Sequence, residues 1–327
     1  MKNALVTGGA GFIGSHLVAR LLGDGWAVTI LDDFSSGSLD NLPGDQALQI
    51  IQGSVADEAV CQRACAGIDA VFHMAGIASV AASLVDPVST HATNLTGTVN
   101  ILKAARDAGV RRVVFSSSAS VYGDCERIPI DECEPVDPQS PYASQKAGSE
   151  LYCRNYRRLF GLQTVILRYF NVFGPRQSAT SGYAAAIPIF VDAALHGKPA
   201  TIFGDGRQTR DFVYVDDVAR ANILAATTPE ADGHTFNIAS GRGTTVLDLI
   251  DSIDRAAGTR TVRHHVAPRP GEVRHSLARA ERACSILNFC PRVDLEEGLR
   301  RTFEAAAGTV EVTEREAPIG KPELVLV

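Results

Sequence analysis

The sequence predicts a doubly wound α/β fold: a parallel sheet covered by helices on both faces, followed by a smaller C-terminal lobe. Three observations carry that prediction. Short apolar, β-branched runs alternate with amphipathic stretches through the first half of the chain. A glycine-rich turn joins the first run to the first helix. After about residue 170 the rhythm breaks into segments punctuated by glycine and proline. Strands alternating with helices of this length require right-handed crossovers, which leave the strands parallel and bury both sheet faces.

In order, the strand-like runs are residues 4–7, 27–31, 48–51, 70–73, 112–115 and 164–167. Residues 12–22, 59–66 and 89–108 read as helices, and a longer one runs from Tyr142 to about Phe160. Beyond residue 170, stretches 211–215 and 235–238 are expected to rejoin the sheet, while the rest builds the lobe. The chain thus divides into 1–170, 171–306 and 307–327. The last stretch mixes charges with two prolines, shows no amphipathic helix and reads as a tail.

Composition narrows the function classes. The 327 residues are 45% hydrophobic and 21% charged, the balance of a soluble globular protein. A net charge of -6 advertises neither nucleic acid nor an anionic membrane, so an anionic ligand must be captured by a few local arginines. No signal peptide is read in the first 20 residues, and no run approaches the roughly 18 apolar residues of a membrane span. Seven cysteines form an odd set without zinc-like CxxC pairs. Cys61 and Cys65, one helical turn apart, read as partly buried thiols, and a reducing, cytoplasmic compartment fits them. His264-His265 reads as a polar strand or loop pair, Gly241-Arg242-Gly243 as a turn, and no metal is expected.

Gly8-Gly9-Ala10-Gly11-Phe12-Ile13-Gly14 follows the first strand and opens the first helix. Glycines there let the backbone turn tightly against a pyrophosphate, with the helix N-terminus facing its charge. Asp32 ends the second strand, where a carboxylate accepts from adenosine ribose hydroxyls and repels a 2′-phosphate. Asp33 could share that role. No arginine stands between Asp32 and Asn41 to pair a 2′-phosphate, so NAD is favoured over NADP.

Tyr142 and Lys146 lie at i and i+4, on one helix face. An ammonium beside a phenol is expected to lower the tyrosine pKa toward a value useful for proton transfer. Ser116-Ser117-Ser118 follows the fifth strand, at the carboxyl end where a doubly wound sheet places its chemistry. A hydroxyl there can hydrogen-bond the substrate oxygen that loses its proton.

Together these stretches, with Phe115 to Gly123, Arg168 to Gly174 and Arg210 to Asp217, resemble the NAD-dependent epimerase/dehydratase family of the extended short-chain dehydrogenase/reductase (Rossmann) type. Within it the chain is most similar to UDP-hexose and UDP-N-acetylglucosamine 4-epimerases. The resemblance runs from Met1 to about Ala307 and implies a catalytic triad at Ser118, Tyr142 and Lys146. It implies NAD contacts at Gly8, Gly11, Phe12, Ile13, Gly14, Asp32, Asp33, Phe34, Ser35, Ser36, Gly37, Ala75, Gly76, Asn94 and Phe170, besides Tyr142 and Lys146. Where many members carry an aspartate beside the adenine, this chain has Ser54 and Val55. A serine hydroxyl can still accept a hydrogen bond.

Dehydratases of the family carry an acidic residue before the Val-Tyr-Gly that recurs as Val121-Tyr122-Gly123; here the tripeptide is Ser118-Ala119-Ser120. Without that carboxylate for elimination, 4-epimerisation through a 4-keto sugar is favoured. By resemblance Arg210 and Arg269 hold the substrate diphosphate, Glu272 a ribose hydroxyl, and Asn171 the phosphate or sugar. Ser79, Ala185, Thr201 and Phe203 fall at further substrate positions. Ser276 replaces a bulky tyrosine that some members place at the sugar-pocket wall, leaving room for an N-acetyl group. A UDP-sugar partner and a homodimer built on residues 89–108 and 143–160 follow from the resemblance. A UDP-uronate 4-epimerase, a dehydratase or reductase, and an NAD-binding regulator without catalysis are the alternatives; the intact triad argues against the regulator.

Overall fold

The structure, a computed structural model, describes residues 2–179, 185–268 and 273–315, with side chains through residue 308. Its strands are β1 (Asn3–Thr7), β2 (Ala27–Asp32), β3 (Leu48–Gln52), β4 (Ala70–His73), β5 (Arg112–Ser118), β6 (Gln163–Tyr169), β7 (Asn171–Phe173), β8 (Ala200–Phe203), β9 (Thr209–Tyr214), β10 (Thr235–Ile238), β11 (Gly243–Thr245) and β12 (Arg263–Val266). Its helices are α1 (Phe12–Gly23), α2 (Glu58–Cys65), α3 (Val80–Val85), α4 (Pro87–His91), α5 (Gly97–Asp107), α6 (Pro141–Phe160), α7 (Ala186–Leu195), α8 (Val215–Thr227), α9 (Val246–Ala257), α10 (Glu281–Leu287) and α11 (Leu295–Arg315).

Seven strands form the main sheet in the order β3-β2-β1-β4-β5-β6-β10, every pair parallel. Side chains alternate across a strand, and helices cover both faces, so inner strands such as β1 and β4 bury residues on both sides. Ala4 and Val6 of β1 pack with Leu17, Val18 and Leu21 of α1 and with Val218, Ala219 and Ala225 of α8. Leu5, between them, faces Val60 and Cys61 of α2 and Ile101 and Leu102 of α5. Cys61 and Cys65 are buried in that second layer, which pushes both thiols up to about 12.

The expected return of residues 235–238 to the sheet is met by β10 beside β6. Residues 211–215 do not return. β9 instead lies in a three-stranded sheet, parallel to β7 and antiparallel to β11. The edge beside β6 is taken by β10, and α8, which follows β9, goes back to cover the main sheet. β8 and β12 pair separately, so His264 and His265 stand on a strand as expected. The lobe has its own core, from Phe173, Ile187, Phe190, Ile202, Phe212, Leu249 and Leu299.

Two further boundaries differ from the sequence reading. The helix expected over 89–108 is α4, a π-helical turn at Ala92–Thr96 and α5 in succession. The wide turn presents Asn94, whose side chain is tied to Ile77 and Gln145. The tail expected from Ala307 is helical through Arg315, where α11 ends. Glu297 pairs with both Arg300 and Arg301, and Arg300 with Glu304, so charge there supports a helix rather than ending it.

Candidate active site

The glycine turn closes on the neighbouring strand end. Gly8 takes a left-handed φ of 69°, and a Cβ there would lie 2.8 Å from the Ala75 Cα. The carboxyl ends of β1 and β4 therefore touch, at the point where the strand order reverses and an open α/β sheet forms its ligand crevice. At Gly14 a Cβ would stand 2.0 Å from the Gly8 carbonyl oxygen, so only hydrogen lets α1 begin against the turn. Its N-cap, Gly11, supplies no side-chain acceptor. The first-turn amides of Phe12 and Ile13 are thus left to an anion, with the helix dipole behind them.

Asp32 is buried at the end of β2 and binds the loop on both sides. Its Oδ2 accepts from the Ala10 amide at 2.9 Å and its Oδ1 from the Phe34 amide at 2.9 Å, which holds Phe34 at a φ of 57°. Each oxygen keeps a lone pair for a ribose hydroxyl. Asp33 is exposed and accepts from the Ser35 amide and hydroxyl, a local turn. Gly37, next to Ser36, packs against Ala10, where a Cβ would come within 2.8 Å. The Ser54 hydroxyl accepts from the Ala56 amide, and Val55 is held by the Asn100 side chain donating to its carbonyl. A dinucleotide fits this cradle: glycines where side chains would collide, an uncapped helix start, and an acidic rim with no described cation paired to Asp32.

The chemistry is gathered at the end of β5. Ser140 caps α6, Pro141 occupies its first turn, and left-handed Gly161 ends it. That helix delivers Tyr142 and Lys146, both buried, and brings the Tyr142 hydroxyl to the Ser118 side chain. Lys146 donates from Nζ to the Ser116 carbonyl at 2.8 Å and lies 5.0 Å over the Phe115 ring. A Cβ on Gly76 would stand 3.5 Å from that Nζ and 3.0 Å from Asn94 Oδ1, so the end of β4 reaches the same place. Phe170 is buried beside Tyr122.

The expected lowering of the tyrosine pKa is not met in this arrangement. Burial pushes the Tyr142 phenol up, and only the Ser118 hydrogen bond opposes it. Lys146 is instead pushed down to about 8, because its ammonium has little solvent. Burial outweighs the attraction anticipated from i, i+4 spacing.

The substrate positions other than Ser79, Ser118 and Tyr142 fall in the C-terminal part of the chain. Asn171, on β7, donates from Nδ2 to the Asp211 carbonyl at 3.0 Å. Arg210, on β9, donates to the Thr209 carbonyl at 2.9 Å. The Ser276 amide donates to the Thr209 carbonyl at 3.1 Å, which sets Ser276 beside Arg210. Ala185 precedes α7, Thr201 and Phe203 stand on β8, and Ser79 caps α3 through the Ala82 amide. Arg269 and Glu272 lie outside the described residues.

Several residues that support the site escaped the sequence reading. Arg168 donates to both oxygens of Glu150, at 2.8 and 2.6 Å, in a fully buried pair, and Ser117 donates to Glu150 at 2.7 Å. Gln145 orients Asn94. Thr7 Oγ1 accepts from the Met74 and Ala75 amides, so it donates to His73 Nδ1 at 2.8 Å. The His73 proton is therefore on Nε2, which faces Thr98 Oγ1 at 3.0 Å. Burial and the Lys146 charge push His73 down to about 3. The Ser120 hydroxyl is buried without a partner. Only a Thr or His inside an apolar strand run hints at such groups in a sequence.

Comparison with known proteins agrees with this geometry. The family model for the NAD dependent epimerase/dehydratase family matches residues 4–239. A UDP-glucose 4-epimerase of Mycolicibacterium smegmatis is 41% identical over 305 residues, covering 92% of this chain and 97% of that protein. Two solved structures superpose with a TM-score of 0.90 at 40% identity, covering 94% of this chain and 99% of theirs. One is a UDP-N-acetylglucosamine 4-epimerase from Methanobrevibacter ruminantium M1 in complex with UDP-N-acetylmuramic acid; the other is a UDP-glucose 4-epimerase from Thermotoga maritima with UDP-glucose. Relatives aligned almost end to end, on a fold that matches throughout, lead to one conclusion: the chain belongs to the NAD-dependent epimerase/dehydratase family.

Proposed function

We propose that this chain is an isomerase that inverts C4 of a UDP-sugar through a 4-keto intermediate. The observation that carries the reading is that buried Tyr142 and Lys146 meet half-buried Ser118 at the end of β5, with Ala119 and Ser120 where elimination would need a carboxylate. NAD, held by the Gly8–Gly14 turn and Asp32, would supply the hydride acceptor and donor that C4 requires. Tyr142 takes the 4-hydroxyl proton and later restores it. Ser118 holds the same oxygen through its hydroxyl, and the Lys146 ammonium favours the phenolate once Tyr142 has given up its proton. The unpartnered Ser120 hydroxyl is left for the sugar. UDP-sugars are named for the relatives above, which supports the nucleotide assignment.

Arg210 and Arg269 are assigned to the diphosphate, Glu272 to the ribose, and Asn171 and Ser276 to the sugar end. Both glucose-type and N-acetylglucosamine-type epimerases stand at comparable likeness, so the substrate set includes the N-acetylated sugars. We assign the working form as a homodimer. Leu151, Tyr152, Leu159 and Phe160 leave apolar surface exposed on α6, and Val88 does so on α4. Free thiols at every described cysteine suit a reducing cytoplasm. No described helix is long and apolar enough to cross a membrane.

The test is turnover of UDP-glucose, UDP-N-acetylglucosamine and UDP-glucuronate with the 4-epimers separated and quantified. Tyr142→Phe should abolish turnover while retaining fold and NAD. Activity within tenfold of the parent, or products lacking water, would overturn the assignment.

A further inference from the structure

Asp211 is completely buried, and four neutral donors surround its carboxylate. Oδ1 accepts from the Ser240 amide at 2.8 Å and the Ser240 hydroxyl at 2.6 Å; Oδ2 accepts from the Gly241 amide at 3.0 Å and the Ala278 amide at 3.2 Å. Burial pushes its pKa up, and the four donors hold it down. A dry carboxylate is a costly way to join segments whose strand ladders are already made. β9 has its backbone partners in β7 and β11. The stretch around Ser276 has its own, in Thr209 on one side and Ile130 on the other.

What the carboxylate joins is informative. Arg210 precedes it in the chain, and Asn171 donates to its backbone carbonyl. Its Oδ2 grips Ala278, two residues beyond Ser276, and the turn at Gly241 after β10. Three residues from three segments, each assigned to the UDP-sugar, are thus referenced to one side chain. We infer that Asp211 is the positioning residue of the substrate lobe, setting Arg210, Asn171 and Ser276 relative to one another so that they engage a nucleoside diphosphate sugar together. This rests on the reading that those three face the substrate. Asp211 itself touches no reacting atom: its neighbours are backbone amides and Ser240, and Tyr142 and Lys146 are held by separate contacts on β5.

Asp211→Asn keeps the shape but turns an amide NH2 toward amide donors. Hydrogen bonds to a charged group are worth enough that UDP affinity should fall roughly tenfold or more. The KM for the UDP-sugar should rise in parallel, with kcat within about threefold and bound NAD unchanged. Ser240→Ala removes one donor and keeps the carboxylate; it should shift KM the same way by a smaller factor, and it carries the test should Asp211→Asn not fold. A merely structural role would instead lower melting temperature, NAD content and kcat together, and that pattern overturns the inference. So does an unchanged UDP affinity in both variants. UDP titration by calorimetry needs no turnover. A parent that binds UDP without epimerising refutes the proposed reaction, while weaker UDP binding by the variants still supports the role of Asp211. A parent that binds no UDP overturns both.

Discussion

Lys146→Met should stabilise the protein while ending its chemistry. The ammonium is buried, with the Ser116 carbonyl and the Phe115 face as its contacts, and its pKa falls from 10.5 to about 8. That fall corresponds to about 3 kcal/mol of penalty on the charged form. Below pH 8 the folded and unfolded chains both hold the proton, and the whole penalty stands. Between pH 8 and 10.5 the folded protein has released it while the unfolded chain retains it, so stability rises with pH across that window and the penalty is gone above it. Methionine has similar length and no charge. It forfeits the hydrogen bond to Ser116, worth about 1 kcal/mol, so the net gain near pH 7 is about 2 kcal/mol. The assay is denaturant unfolding of cofactor-depleted parent and variant at pH 7 and pH 10. The variant should lead by about 2 kcal/mol at pH 7, and the lead should vanish or reverse by pH 10. A lead that is the same at both pH values, or a variant less stable at pH 7, would refute the reasoning. Turnover should drop below detection in either case, because the phenolate loses its cation.

His73, held neutral with its proton on Nε2, should cost the parent about 2 kcal/mol of stability between pH 6.5 and pH 5, a loss absent in His73→Asn; nitrogen NMR showing the proton on Nδ1 would contradict the network. Ser276→Tyr should remove turnover of UDP-N-acetylhexosamines and spare UDP-glucose, and an equal loss on both sugars would discard the pocket-wall argument. Arg168→Met leaves Glu150 buried beside Ser117 and Arg154 only, so stability should fall by about 3–5 kcal/mol in denaturant melts, with Glu150→Gln in the same background recovering part of it. Light scattering at micromolar concentration should return a dimer mass, and Leu159→Lys with Phe160→Lys should shift it to monomer.

Local physics made much of this protein legible before any coordinates. The turn from Gly8 to Gly14, the acidic end of β2 and the Tyr142/Lys146 spacing all concern residues a few positions apart, where backbone sterics and helix geometry act directly. The alternation that marks residues 209–214 as a strand is the same in any sheet. Which sheet it joins was decided by competition for the edge beside β6, which β10 occupies. The π-helical turn at Asn94 was likewise set by its side-chain partners, Ile77 and Gln145, rather than by composition. Above all, spacing placed a lysine near a tyrosine but said nothing of the water around them. Burial, which belongs to the assembled molecule, drives Lys146 down, Tyr142 up and His73 neutral, and it brings Asp211 against donors 29 and 67 residues away. Dielectric environment and long-range hydrogen bonds arise only when distant segments pack, which is why the chain's chemistry could be read from the sequence and its energetics could not.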